Sequence, residues 1–406
     1  MLCSFSAPGA DIGESVRSGS LWKQPLVEMA KIALKGTRCE RVEEGTLRFP
    51  AGELQLGGLN TGECLLEMEE GQSTSLRVMV YNRGDDGELE EKDFDAVVAD
   101  TQKKISELTG VRPRVHRMSK RKTAVKVQSM EWQWENGIIR MESSGGKRGG
   151  QFVAEFVRLT LGADAKAIER GGAESAVRKN ELRANIVREE DGTVWLRNIP
   201  MVDQGQKGYC VPATLARVFA FYGMEGVDQH ALAALCESAS GEGGTSSLDM
   251  EAAMRTICRK FRVKFTVLEN YQQCLEGTIG EYNKLARRED RPAMPYSGMA
   301  FEMANPQLLL QARAGKKTNV AKWLKPIRKS IDSGTPVIWM VMVGIYPEPL
   351  SLPQIRGGHA RLIIGYNARK QTIIYSDSWG ERHARKELPA AEACAMTVGR
   401  YIAKLK

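Results

Sequence analysis

Histidine is scarce in this sequence: His116, His230, His359 and His383 are the only four in 406 residues. Any chemistry that needs an imidazole must use one of them. Eight cysteines occur, Cys3, Cys39, Cys64, Cys210, Cys236, Cys258, Cys274 and Cys394, but none forms a C-x-x-C pair. Zinc sites usually rely on that spacing, so no metal is expected, and no organic cofactor is implied. A chain this long folds without disulfides, and most of these thiols read as plain buried side chains. Long apolar runs are missing as well. The longest, Val337 to Val343, has seven residues, where a membrane span needs roughly 18 or more. The first 25 residues carry Arg17, Ser18 and Gly19 where a secretion leader needs an apolar run. A cytoplasmic location is therefore the default expectation, unless a leader precedes this start. No Walker loop, G-x-G-x-x-G, H-E-x-x-H or G-x-S-x-G is present, which removes the commonest nucleotide, zincin and serine-hydrolase signatures.

What is present is ordinary for a globular chain. Apolar residues make up 42% and charged residues 27%, which excludes disordered and collagen-like classes. The length suggests two or three domains. The net charge of +8 is unevenly placed: residues 1–190 hold 29 basic and 30 acidic residues, residues 191–406 hold 29 and 20. The excess reads as a solvated basic surface. Arg112, Arg114, Arg117, Lys120, Arg121, Lys122 and Lys126 lie in an acid-free span. Val125 and Val127 interrupt it and no nucleic-acid motif accompanies it, so it reads as a solvated loop and no nucleic-acid partner is expected. The segment Asn82–Asp93 has a faint calcium-loop look, but Gly84 replaces a ligand and Asp93 stands where a bidentate Glu belongs. A turn capping the next helix is the better reading.

Along the chain, short strands are predicted at Thr46–Phe49, Glu53–Leu56, Cys64–Met68 and Ser75–Tyr81, between glycine-containing turns. A helix is predicted from Glu90 to Leu108, with Phe94, Val97, Val98, Ile105 and Leu108 at a 3.6-residue period and Gly110 as its stop. Strands then follow at Ala124–Gln128, Trp132–Trp134, Ile138–Glu142 and Phe152–Leu161. These elements describe an α+β domain over 1–162. Residues 163–192 read as a helical linker, with a helix over Ala173–Ile186. A hairpin over Glu189–Ile199 turns at Asp191–Gly192. Beyond it, helices are predicted at Val211–Tyr222, Leu248–Lys260 and Val320–Ser333. Strands Pro336–Ile345, His359–Tyr366 and Gln371–Tyr375 are expected as neighbours in one sheet. Helices followed by strands make 193–406 a second α+β domain.

Three segments carry chemistry. Cys210 stands just before an amphipathic helix, with Pro212 suited to its first turn. A thiol at a helix N-terminus feels the positive end of the dipole and the free N–H groups, which favour the thiolate. Gly205 and Gly208 allow a tight loop in front of it. Gln204, six residues earlier, can turn its NH₂ toward the space in front of the Cys210 N–H, and two converging donors make an oxyanion hole. The alternatives are a buried capping cysteine and a solvated glutamine. His359 opens an apolar strand directly after Gly357–Gly358, placed to reach another element or else simply satisfied by backbone. Asp377 lies in Tyr375-Ser-Asp-Ser-Trp379-Gly380, just past the next strand. If the two strands pair, Asp377 returns near His359 to accept its Nδ1–H, with Trp379 covering that bond.

The order Gln-x5-Cys, Gly-His on a strand, then Asp-Ser-Trp-Gly resembles the papain-like cysteine peptidases. The stretch from Cys210 to Gly223 looks more like the branch that includes bacteriocin leader-processing peptidases. The resemblance covers roughly residues 195–400, with 149 residues from Cys210 to His359. It implies a helical part and an antiparallel sheet with a cleft between them, and a peptide or protein substrate. It also implies Cys210 as nucleophile, His359 as base and acid, Gln204 as oxyanion donor and Asp377 as the group that orients His359. Gly243 and Gly244 fall where such enzymes hold the substrate chain, and Trp379 joins that substrate side. Papain has Asn where this chain has Asp377, while Asp occurs in the leader-processing branch. Val211 follows Cys210 where papain has Trp and the other branch usually Gly. Residues 275–316, with three prolines, read as an insertion able to cover or narrow the cleft. Two rival readings are transglutaminase- or deamidase-type acyl transfer at the same thiol, and an inactive peptidase fold used as a binding module.

Overall fold

The computed structural model describes residues 9–24, 37–43, 45–116, 125–148, 150–169, 181–205, 208–224, 227, 229–236, 245, 247–350, 352 and 356–406. The chain divides into two compact units, residues 1–173 and, for the most part, residues 174–406. Both mix helix with antiparallel sheet. Among the described residues no helix is long and apolar enough to cross a membrane.

The first unit is built on a sheet of Glu40–Glu43, Thr46–Phe49, Cys64–Glu69, Gln72–Asn82, Gln151–Gly162, Gly137–Arg148, Gln128–Trp134 and Arg114–Val115, adjacent in that order. All neighbours are antiparallel. The predicted helix spans Glu91–Thr109 and stops at Gly110, whose φ of 73° is the left-handed cap that glycine adopts without strain. Its apolar stripe, Phe94 and Ile105, is buried against Tyr81, Trp132 and Phe152. Trp132 Nε1 donates to Ser106 Oγ at 2.9 Å, which fastens the helix to the sheet. Leu54–Leu56 sits apart from that sheet, pairing with Ala10–Asp11 and Leu59–Asn60. The strand expected at Ala124–Gln128 begins instead at Gln128; Ala124 lies outside the described residues. In the calcium-like segment, Arg83–Asp86 is one helical turn. The Asn82 side chain accepts from the Gly84 N–H, and Asp86 accepts from the Asn82 N–H, so the acids serve the turn. Of the basic span, Arg112, Arg114 and Lys126 are exposed, and Arg117, Lys120, Arg121 and Lys122 lie outside the described residues.

The second unit has strands β1 (Ile186–Arg188), β2 (Thr193–Leu196), β3 (Val263–Glu269), β4 (Val337–Val343), β5 (Gly357–Asn367), β6 (Thr372–Ser376), β7 (Lys386–Pro389) and β8 (Thr397–Leu405). They form one antiparallel sheet in the order β1-β2-β5-β4-β8-β3, with β6 on β5 and β7 on β6. Its helices are α1 (Cys210–Phe221), α2 (Gln229–Leu235), α3 (Ser247–Phe261), α4 (Tyr271–Arg288), α5 (Pro306–Ala314), α6 (Lys317–Ile331) and α7 (Ala390–Met396). Every residue of β4 is buried. This accounts for the longest apolar run, because a strand covered on both faces has no polar side. Val320, Trp323, Leu324, Ile327 and Ile331 of α6 pack in one cluster with Val337, Trp339, Val341 and Val343. Truncating a side chain like Trp339 in such a cluster costs about 3–5 kcal/mol.

Two expectations change. The helix predicted over Ala173–Ile186 is a 3₁₀ turn at Glu181–Asn185 followed by β1, its first residues lying outside the described ones. Ile186 and Val187 are β-branched and pair with Leu196 and Trp195 across the turn at Gly192, so the hairpin starts earlier than expected. The helix expected to be amphipathic, α1, is buried on almost every side. The stretch 275–316 is largely helical. Asn270 and Gln273 form a reciprocal capping box that starts α4, and Asn305 with Pro306 starts α5.

Candidate active site

Helix α1 begins at Cys210 itself. In the loop before it, Gly205 takes a φ of 70°, and its N–H donates to Asp203 Oδ1 at 2.8 Å. First-turn N–H groups have no partner inside the helix. The Val211 N–H from that turn and the Ala360 N–H from β5 both hydrogen-bond the half-buried Cys210 thiol. Thr214 Oγ1 donates to the Ala360 carbonyl at 3.1 Å, so α1 is fastened to β5 one residue from His359.

His359 is the third residue of β5 and is only 1% exposed. Strand β6 runs back alongside, with Ser376 opposite Leu362, so Asp377 emerges next to the ring. Asp377 Oδ1 lies 2.9 Å from His359 Nε2. The sequence reading assigned the carboxylate to Nδ1, and this is corrected. Asp377 meets the far end of the ring, and Nδ1, the nitrogen nearer the backbone, is left for the thiol. Nδ1 has no hydrogen-bond partner among the described residues, while the Cys210 thiol lies close enough for its pKa and that of the ring to shift each other.

The electrostatics follow from these contacts. Burial pushes the Cys210 thiol up, but the hydrogen bond and charge of His359, with the Ala360 and Val211 N–H groups, bring it below an ordinary thiol. Burial pulls His359 down, but Asp377 and the thiol together hold it above an ordinary imidazole. Opposite shifts on two touching groups favour a thiolate beside an imidazolium.

Gln204 is buried. Its Oε1 accepts from Ser378 Oγ at 2.8 Å, and its N–H donates to the Ser378 carbonyl at 2.9 Å. The loop that carries Asp377 therefore also holds Gln204. The half-buried Trp379 ring stacks on His359, centroids 4.0 Å apart and planes at 12°, which covers the imidazole. Gly243 and Gly244 lie outside the described residues.

Behind Asp377 is a charged layer that the sequence reading missed. Arg361 Nε lies 2.7 Å from Asp377 Oδ1, and Lys386 Nζ pairs with Oδ2. Arg361 also donates to Glu348 Oε1 at 3.0 Å. Glu348 Oε2 accepts from Tyr375 OH at 2.5 Å and lies 3.5 Å from Lys386 Nζ. These ionised side chains are at most 2% exposed. Burial alone would raise the Asp377 carboxyl; Arg361, His359 and Lys386 instead hold it far below the usual carboxylate range. Arg217 of α1 is buried as well. It donates to the carbonyls of Pro200 (2.9 Å) and Asp377 (2.7 Å) and to Ser376 Oγ (2.5 Å). Both arginines left a trace in the sequence: Arg361 interrupts the apolar run Ala360–Ile364, and Arg217 is the lone charge of α1.

Among the described residues no group of three or more His, Cys, Asp or Glu side chains is arranged to hold a metal. No curated protein matches the chain. Among solved structures, the cysteine protease xylellain from Xylella fastidiosa is similar at 14% identity and a TM-score of 0.25, over 58% of this chain and 91% of that one. The model of the Peptidase_C39 like family matches residues 196–403. That match takes in Gln204, Cys210, His359, Asp377 and just over half of the sequence, and the chain belongs to the Peptidase_C39 like family.

Proposed function

We propose that the second unit is a cysteine peptidase that cleaves peptide bonds through a thioester on Cys210. The observation that carries this reading is His359 Nε2 paired with Asp377 at 2.9 Å beside a Cys210 thiol whose pKa His359 holds below its ordinary value. The Cys210 thiolate attacks the scissile carbonyl carbon. The Gln204 NH₂ and the Cys210 N–H stabilise the oxyanion that forms. His359 gives its Nδ1 proton to the leaving amine as the C–N bond breaks, leaving a thioester and a neutral imidazole. That imidazole takes a proton from water, the resulting hydroxide attacks the thioester, and the acid leaves as the thiolate returns. Asp377 accepts from Nε2 throughout and holds the tautomer that presents Nδ1 to the thiol. Gly243 and Gly244 are assigned to the backbone edge that receives the substrate chain, and Trp379 to its border.

The test is digestion of a peptide mixture by the full chain, with and without a primary amine, read by mass spectrometry. New free carboxyl ends that disappear in Cys210→Ala are expected. Intact peptides carrying the added amine would replace this reading with acyl transfer. No change in any peptide would leave a binding module.

A further inference from the structure

Buried cations are costly to keep in a sheet. Apolar side chains of similar size fill such positions without the loss of several kcal/mol of hydration per ion. Yet Arg361 on β5 and Lys386 on β7 are both fully buried, and strand register brings them together. Arg361 is two residues from His359 on the same face of β5, and Lys386 lies opposite Tyr375 of β6. The Trp379 ring that covers His359 also covers both cations, with Arg361 and Lys386 each 5.7 Å from its centroid. Glu348, from the segment between β4 and β5, reaches in to meet both cations and the Tyr375 hydroxyl. Two carboxylates and two cations thus balance in one enclosed layer, and the only member that touches the imidazole by hydrogen bond is Asp377.

We infer that Arg361, Lys386 and Glu348 are positioning residues that set the pH range of the Cys210–His359 pair through Asp377. This rests on the peptidase reading of that site. The two cations hold the two Asp377 oxygens in place and oppose the pull of the carboxylate on the imidazolium. Glu348 offsets the cations and restores part of that pull. The charged and titratable groups around His359 are then Cys210 and Arg217 from α1, Arg361 on its own strand, and Asp377 after β6. Lys386 on β7, Glu348 beyond β4, Tyr375 of β6, whose hydroxyl donates to Glu348, and His383, whose Nδ1 lies 3.3 Å from Lys386 Nζ, join them among the described residues. In an enclosed site of low effective dielectric, one charge at such range moves a titration by about half a pH unit or more.

The signs are opposite for the two sides of the layer. Removing the negative charge in Glu348→Gln leaves a positive excess, which disfavours imidazolium and favours thiolate. Both limbs of the pair's pH range move down. Removing the positive charge in Lys386→Met moves both limbs up, and the double variant returns near the starting range. The experiment is nuclear magnetic resonance of the full chain with ring-labelled histidine. Four signals are expected, and His359→Ala identifies the one that matters. Its titration is followed in the native chain and in Cys210→Ala, alone and with each charge variant. Opposite displacements of about half a unit or more, cancelling in the double variant, are the expected result. Unchanged midpoints, or displacements in one common direction, overturn the inference and leave the layer structural. The Cys210→Ala series reads His359 without any thiolate, so this result stands apart from whether the chain cleaves peptides.

Discussion

Ser378 holds Gln204 twice, by its hydroxyl on Oε1 at 2.8 Å and by its carbonyl on the Gln204 N–H at 2.9 Å. Ser378 follows Asp377 directly, so one turn after β6 positions both the carboxylate that meets His359 Nε2 and the side chain proposed for the oxyanion. Gln204→Ala is expected to lower kcat for peptide cleavage by about 10²–10³-fold, the range for loss of one oxyanion donor. Alkylation of Cys210 by iodoacetamide forms no oxyanion and is expected to stay unchanged. Ser378→Ala keeps the amide but frees its orientation, and a loss of about 10-fold is expected, matching one buried hydrogen bond. Equal effects of both variants on alkylation and cleavage would place Gln204 in packing instead.

The thiol environments separate Cys210 from the other buried cysteines among the described residues. Burial pushes Cys64 and Cys274 up to about 12 and Cys258 up to about 11, whereas Cys210 is brought below an ordinary thiol by His359. Because its pKa is depressed, the Cys210 thiolate persists to lower pH than that of a free thiol and is lost only as pH falls through the depressed value. Iodoacetamide at pH 6, read by peptide mass spectrometry, is expected to label Cys210 ahead of the exposed Cys39. In His359→Ala the hydrogen bond and charge of His359 are gone while burial and the two backbone N–H groups remain, so labelling at pH 6 should fall about 10-fold per pKa unit regained. Equal labelling of Cys39 and Cys210 in the native chain would sink the thiolate assignment.

In the candidate site, the neighbourhood of Cys210, His359 and Asp377 was legible because these three stand near where an element begins or ends. Cys210 opens a helix, His359 follows two glycines into a strand, and Asp377 leaves the strand that pairs with it. Such boundaries show in apolar period and turn residues. Which ring nitrogen meets the carboxylate did not, because that depends on how deep Asp377 sits relative to the ring. Arg361, Lys386 and Glu348 were missed for a related reason: in one dimension a buried charge looks like a solvated one until its counter-charge is known, and Glu348 lies 13 residues from Arg361 and 38 from Lys386. In the 275–316 stretch no helix was assigned, although the Asn270-x-x-Gln273 cap of α4 was a readable start signal. In the first unit the strand and helix periods carried most elements to within a few residues.

Arg217 gives the last prediction, which concerns stability rather than chemistry. Its guanidinium is buried and ties α1 to Pro200, Ser376 and the Asp377 carbonyl by three hydrogen bonds of 2.5–2.9 Å. Burial lowers its pKa to about 10, which still leaves it charged at neutral pH. Arg217→Met fits the volume but strands two backbone carbonyls and one hydroxyl without a donor, each costing about 1–3 kcal/mol when buried. A net loss of about 3 kcal/mol or more is expected, concentrated in α1 and the 376–378 turn. Hydrogen exchange is the measurement, because the chain has two units and a single melting temperature would mix them. Amides of Cys210–Phe221 should exchange about 100-fold faster or more in the variant, while those of Glu91–Thr109 in the first unit keep their native rates. If both helices lose protection alike, the effect is not local to the site and Arg217 is not the clamp between α1 and the Asp377 turn.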